Sequence, residues 1–379
     1  MIKKILLFLL LILVAAGLYV QFSHLPDPLA PELKSSAWLK PGLYDVDYFD
    51  IELIDTTRPT QANGDFAGSE ERRLQTRIWF PENMTATAPL VIYSHGFMSM
   101  RTGGSYLAEH LASHGYIVAS MDYPLTKMAA PGGPLVSDVV NQPSDISFLI
   151  DQLLTWNAEP DNQFFEHVDE NRIGVMGLSL GGMTSTLAAF HPARADLRIA
   201  AAISIAGPVF VFAPSFYESR DLPFMMIASP IDAMIDYDSN AATILERVKG
   251  AVVVTMDKAS HTGFSAPARY LRWLNNADSL GCGIVTRGLQ NNTDDDWTGD
   301  LGSAEQGILT VQQAGLCTVD PLPEAMNPLR QHWLTTLAVH SFFESRFALS
   351  ELRRREANNY LLNTLAKEIQ EIRVQKVSK

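Results

Sequence analysis

Cysteine is nearly missing from this chain. Cys282 and Cys317 are the only two in 379 residues, too few for a disulfide-built scaffold or for a cysteine-based structural zinc site. Positive charge is in deficit: 29 Lys and Arg stand against 42 Asp and Glu, a net charge of −13. Such a chain repels polyanions, which excludes nucleic acid as a partner. Internal repeats and low-complexity tracts are also missing, so repeat arrays and disordered segments drop out as fold classes. The composition, 47% hydrophobic and 19% charged, is that of a globular protein with a large buried core.

Long uncharged apolar runs are confined to the N-terminus. Lys3 and Lys4 precede Ile5–Val20, after which the chain turns polar (QFSHLPDP). A basic start followed by an apolar core is a secretory signature. The run falls slightly short of the roughly 20 residues that span a bilayer. Val14-Ala15-Ala16 offers small residues to a signal peptidase, but Gly17–Val20 carries the apolar run past them. Residues 1–22 are therefore read as a signal peptide or a retained membrane anchor. The expectation is export to the periplasm or the exterior, with membrane association through residues 5–20 if the segment is kept. A buried helix of a cytosolic protein is the alternative, and the lack of a polar face argues against it. Residues 23–43, rich in proline, read as a linker. In an exported chain Cys282 and Cys317 are a disulfide candidate; two separate buried thiols are the alternative.

From residue 44 on, apolar runs alternate with helical patterns. Candidate strands are 44–54, 74–80, 89–94, 116–121, 172–177, 198–205, 223–228 and 251–256. The later ones lack apolar–polar alternation, as in parallel strands covered on both faces. Helical patterns lie at 104–114, ending at Gly115, at 144–156 with Ser144 as cap, and directly after Ser179. The expected fold is α/β: a mostly parallel eight-stranded sheet with helices on both faces. It fills a domain over 44–379, with an irregular insertion at 278–327 and C-terminal helices over 328–379. In the last of these, Leu361, Leu365, Ile369 and Ile372 share one face.

Ligands of such sheets sit beyond the carboxyl ends of the strands, and four segments there carry chemistry. Gly177-Leu178-Ser179-Leu180-Gly181 follows a strand and opens a helix. A sharp strand–turn–helix elbow exposes a serine hydroxyl, provided its neighbours two residues away are small. Ser179 is the expected nucleophile; a packing turn rich in glycine is the bland alternative. The oxyanion hole is expected from the N–H groups of Leu180 and of Phe97, in the Ser94-His95-Gly96-Phe97-Met98 loop. His95 itself is read as shaping that loop. Asp232, after the seventh strand, is the expected acid, with Asp236 and Asp238 as rivals that can equally cap a helix. His261, after the eighth, is the expected base. The order Ser, Asp, His suits this architecture.

With those residues in view, the chain is identified as a member of the α/β-hydrolase superfamily over about 44–275. HGFMSMRTGGSYLAEHLASHGYIVASMDYP, PSDISFLIDQL and RIGVMGLSLGG resemble the platelet-activating-factor acetylhydrolase and dienelactone-hydrolase-like branch. The resemblance implies short-acyl or otherwise accessible esters, no cofactor and the triad just given; the reading is a serine hydrolase that cleaves small-molecule or lipid carboxylic esters through a Ser-His-Asp triad and an acyl-enzyme. Dienelactone hydrolases carry cysteine where Ser179 stands, so their particular lactone chemistry is not implied. A serine peptidase on the same scaffold and a non-catalytic binding protein are the rival readings.

Other signals are set aside at this level. His110 and His114 stand four apart but lack the His-Glu-x-x-His order, and they read as part of a surface helix with no metal. Asp294, Asp295 and Asp296 read as a solvated loop rather than a calcium site. Phe210, Phe212, Phe216 and Tyr217 line either an acyl pocket or the core.

Overall fold

In a computed structural model, residues 2–290, 297–311 and 315–376 are described. Nine strands form one sheet: β1 (Val46–Asp55), β2 (Arg72–Pro81), β3 (Ala88–Ser94), β4 (Ile117–Asp122), β5 (Val168–Leu178), β6 (Ile199–Ile205), β7 (Phe224–Ala228), β8 (Val252–Met256) and β9 (Ile372–Lys376). Their order is β1-β2-β4-β3-β5-β6-β7-β8-β9. The run from β4 to β8 is parallel throughout. The outer pairs β1–β2, β2–β4 and β8–β9 are antiparallel.

The burial patterns explain this arrangement. Every residue of β3, β4, β7 and β8 is buried, as expected where helices cover both faces. The edge strand β1 is largely half-buried or exposed. The ninth strand corrects the expectation of eight. Ile372 continues the helical spacing of Leu361, Leu365 and Ile369, which read as one helix face. The chain instead leaves the helix at Ile369, whose backbone is extended. Residues 372–376 (IRVQK) then pair with β8, with Val254 opposite Val374. An otherwise bare edge of the buried strand β8 is closed in this way.

The helices are α1 (Ile2–Phe22), α2 (Lys34–Trp38), α3 (Ser105–Ser113), α4 (Gln142–Ala158), α5 (Leu180–Phe190), α6 (Pro214–Tyr217), α7 (Ala241–Arg247), α8 (Asp278–Leu289), α9 (Pro328–Phe347), α10 (Glu351–Asn359) and α11 (Leu365–Glu368). Alternate side chains of β3 separate the two halves of the core. Leu90 and Ile92 face the cluster under α4 and α5, which also holds Phe210, Phe212, Phe216 and Tyr217. Val91 and Tyr93 face the cluster under α3 and α9. The aromatic group is thus core: Phe212 stacks on Phe216 at 4.2 Å between ring centres.

Helix α4 starts two residues before Ser144, with Pro143 in its first turn. Its Asp145 is fully buried and takes both branches of Arg72 at 2.8 and 2.7 Å. Arg72 also reaches both oxygens of buried Asp138 at 3.1 Å. Near the N-terminus, α2 docks on the C-terminal helices. Buried Ser35 bonds the Tyr360 hydroxyl and the Glu368 carboxylate, each at 2.8 Å. The described side chains of α1, among them Leu7, Phe8 and Leu13, are exposed. Among the described residues, no helix is long and apolar enough to cross a membrane.

Candidate active site

The turn between β5 and α5 carries Ser179. Its backbone sits at φ 56°, ψ −124°, a conformation that costs a non-glycine residue energy and is held only where its surroundings impose it. The surroundings here are tight. A Cβ on Gly177 would run into the carbonyl oxygen of Gly181, and one on Gly181 into that of Ser94. The Ser179 N–H donates to Ile205 O at 2.8 Å, anchoring the turn to the end of β6. Both glycines are required so that strand, turn and helix can close at this spacing. The serine is left half-buried at the N-terminus of an eleven-residue helix, whose dipole favours negative charge at that end.

Beside the elbow lies the loop after β3. A Cβ on Gly96 would stand 3.2 Å from both Leu178 O and Ser179 Cβ, so only glycine allows this approach without displacement. The His95 ring holds the loop: Nδ1 bonds Gly96 O at 2.8 Å, and Nε2 accepts the Tyr123 N–H at 3.1 Å. Nε2 is therefore the unprotonated nitrogen, and burial lowers the His95 pKa, which favours the neutral ring. His95 shapes the loop that carries Phe97.

Asp232 and His261 follow the ends of β7 and β8. The Asp232 carboxylate accepts the N–H groups of Met234 and Ile235, both at 2.8 Å, and its other oxygen accepts from His261 Nδ1 at 2.8 Å. That bond sets the imidazole tautomer, leaving Nε2 as the basic nitrogen. Both side chains are almost wholly buried. Burial opposes a charged imidazole, but the Asp232 carboxylate and, more weakly, the Asp278 carboxylate outweigh it. The net result is a His261 pKa above its ordinary value. Asp236 instead accepts the Ser239 N–H and hydroxyl, at 2.8 and 2.6 Å.

Ser179 and His261 line one cavity of about 420 Å³, and Phe97 and Leu180 line it with them. Most of the remaining wall is apolar. Helix α8 supplies Leu280, Ile284, Val285 and Leu289, and Met234, Trp297 and Leu316 add to it. The insertion, expected to be irregular, thus opens with a twelve-residue helix that roofs the site. Cys282 and Cys317 are disulfide-bonded within it, a link worth about 3–4 kcal/mol on chain-entropy grounds. The Cys317 N–H donates to Ala233 O at 2.7 Å, tying the bridge to the loop that carries Asp232. The aromatic residues at 210–217 take no part in this wall, whereas a segment after β8 supplies much of it.

Asp278, which sequence reasoning missed, holds these loops together. Fully buried in the first turn of α8, its carboxylate accepts N–H groups from Ala233 at 3.3 Å, His261 at 3.0 Å and Thr262 at 2.6 Å. On the other side, the Gln331 amide of α9 accepts the Ser260 N–H at 3.1 Å and donates to Ser260 O at 2.8 Å. The one local signal for Asp278 is an acidic residue opening a helix. The Leu280, Ile284 and Leu289 spacing marks that helix, although several glycines blur it. Asp294, Asp295 and Asp296 lie outside the described residues.

No curated protein sequence matches this chain. Among solved structures, a ferulic acid esterase from Streptomyces cinnamoneus is similar, with a TM-score of 0.53 at 19% identity over 88% of this chain and 97% of that one. At that identity the likeness concerns the fold, and it supports the α/β-hydrolase architecture seen here. Nothing in these comparisons singles out the platelet-activating-factor acetylhydrolase branch. The PET hydrolase-like family model matches residues 64–271, a stretch that holds the elbow, the Phe97 loop, Asp232 and His261. With more than half of its length matched, the chain belongs to the PET hydrolase-like family of the α/β-hydrolase superfamily.

Proposed function

We propose that this chain is a carboxylic-ester hydrolase in which Ser179 is the nucleophile, His261 the general base and acid, and Asp232 the residue that orients the imidazole. The observation that carries this reading is one cavity lined by both the strained serine and the histidine whose Nδ1 is bonded to a buried carboxylate. Ser179 attacks the ester carbonyl as His261 Nε2 takes its proton, and Asp232 stabilises the imidazolium. The N–H groups of Phe97 and Leu180 receive the oxyanion. The imidazolium then protonates the leaving alcohol. Water, activated by His261, releases the acid from the acyl-enzyme.

The apolar wall suits a small-molecule or lipid ester with an apolar acyl or aryl group. The words hydrolase and esterase in the names of the family and of the structural neighbour agree with this class. We also assign residues 44–379 to one hydrolase domain, 1–22 to an export signal or anchor, and 23–43 to the arm between them. The disulfide is consistent with an oxidising compartment outside the cytoplasm.

The direct test is Ser179→Ala. Turnover of a reporter ester should fall by roughly 10⁴–10⁶-fold, and labelling by a fluorophosphonate should vanish, with the fold unchanged by circular dichroism. Wild-type turnover in that variant would refute the assignment.

A further inference from the structure

On the face of the sheet covered by α3 and α9, away from the Ser179 cavity, three histidines meet. His110 lies on α3, His114 caps the C-terminus of that helix, and His340 comes from α9. One ring nitrogen from each lies within 4.8 Å of the other two. His110 Nε2 and His340 Nδ1 are 2.9 Å apart. The ring centres of His114 and His340 are 4.0 Å apart, and those of His110 and His114 are 4.6 Å apart. We propose that His110, His114 and His340 form a binding site for a divalent cation that prefers nitrogen ligands, of the Zn²⁺ class, stapling α3 to α9.

The spacing fits such an ion. Zinc–nitrogen bonds of 2.0–2.1 Å with tetrahedral angles put ligand nitrogens about 3.4 Å apart, a distance these rings approach with small side-chain rotations. The His114 tautomer is suitable as well. Its Nε2 lies 3.1 Å from Lys40 O and donates to that carbonyl, which leaves Nδ1 with its lone pair free for a metal.

A second observation concerns His340. It is fully buried, with the Trp38 backbone as a hydrogen-bonding neighbour of its ring, and Nδ1 is the nitrogen turned toward His110 and the cluster. Trp38 packs edge-on at 5.0 Å. The nearby Arg353 pairs with Glu344 at 2.8 Å and stacks on Trp38, so its charge is already balanced.

Binding would replace the His110–His340 hydrogen bond: the ring that donated it is neutral with a single N–H, so that proton moves by way of solvent to the ring's other nitrogen, and the vacated nitrogen takes the metal. His110 also borders a solvent-open cavity of about 480 Å³, with Glu109 and Tyr106 in its wall. That cavity is an entry path and leaves the fourth position to water. The three ligands belong to no sequence motif. The i, i+4 pair is visible in the chain, but the third histidine is supplied only by packing.

The full-length protein, purified without a polyhistidine tag and stripped with EDTA, should be titrated with Zn²⁺ by calorimetry and with Co²⁺ by visible absorption. We expect one ion per chain with micromolar or tighter affinity, intense tetrahedral Co²⁺ bands, and a Tm raised by several degrees in Zn²⁺. His114→Gln and His110→Asn, both at half-buried positions, should each weaken binding at least about 100-fold and abolish the Tm rise, with ester turnover unchanged. His340→Ala is not relied upon, because that ring is packed in the core. Absence of saturable binding below about 100 µM, or binding that survives both substitutions, overturns the site.

Discussion

Replacing Asp278 by Asn tests whether the roof of the cavity positions His261, the histidine proposed as the base. The change is isosteric, but it removes a charge and turns one acceptor into a donor. If the amide oxygen keeps the Ala233 and His261 N–H groups, the amide nitrogen must face the Thr262 N–H, and a 2.6 Å bond is lost. A hydrogen bond to a charged group contributes about 1.5–3 kcal/mol, and the two that remain weaken on becoming neutral. The expected loss of stability is ~2–4 kcal/mol, read from guanidinium unfolding.

The His261 loop loses its tether at the same time, and an ångström of misplacement costs on the order of 100-fold. We therefore expect kcat/KM for a reporter ester to fall by about 10–100-fold. The pH profile separates positioning from plain destabilisation. His261 works as a base only when neutral, and burial, which lowers its pKa, is outweighed by Asp232 and then Asp278. Wild-type kcat/KM should thus rise with pH through a midpoint above the ordinary histidine value of about 6.5. With the Asp278 charge gone, that midpoint should move to lower pH. An unchanged midpoint together with unchanged turnover would refute the positioning role.

Two further outcomes are expected. Arg72→Ala leaves Asp138 and Asp145 fully buried, with Arg58, 2.8 Å from Asp145, as a countercharge and the Asn141 amide, 2.8 Å from Asp138, as a neutral donor. Denaturant unfolding should show a loss of about 3–5 kcal/mol, with the activity of the folded fraction kept. Ile284→Trp fills part of the cavity from α8. Across aryl esters of increasing acyl length, kcat/KM for the longest should drop at least about tenfold relative to acetate, whereas an even loss across the series would show that α8 does not select the acyl group.

Much of the fold was legible because local rules suffice for it. β3, β4, β7 and β8 stand out as apolar runs, since a strand covered on both faces has no polar side to show. The elbow was legible for a similar reason: a strained serine turn needs glycine at 177 and 181, and those glycines are visible in the chain. β9 was misread because IRVQK continues a helical stripe, and only the open edge of β8 makes it a strand.

What the sequence determined alone are the features enforced within a few residues of chain: the apolar strands, the Ser179 elbow, the Gly96 loop and the placing of Asp232 and His261 after successive strands. Tertiary structure decided everything that joins distant segments. Asp278 grips His261 across 17 residues, α8 closes over the serine, and His340 meets His110 across 230. Partnerships of this kind leave no local pattern, because folding satisfies a buried polar group with whatever residue packing brings to it.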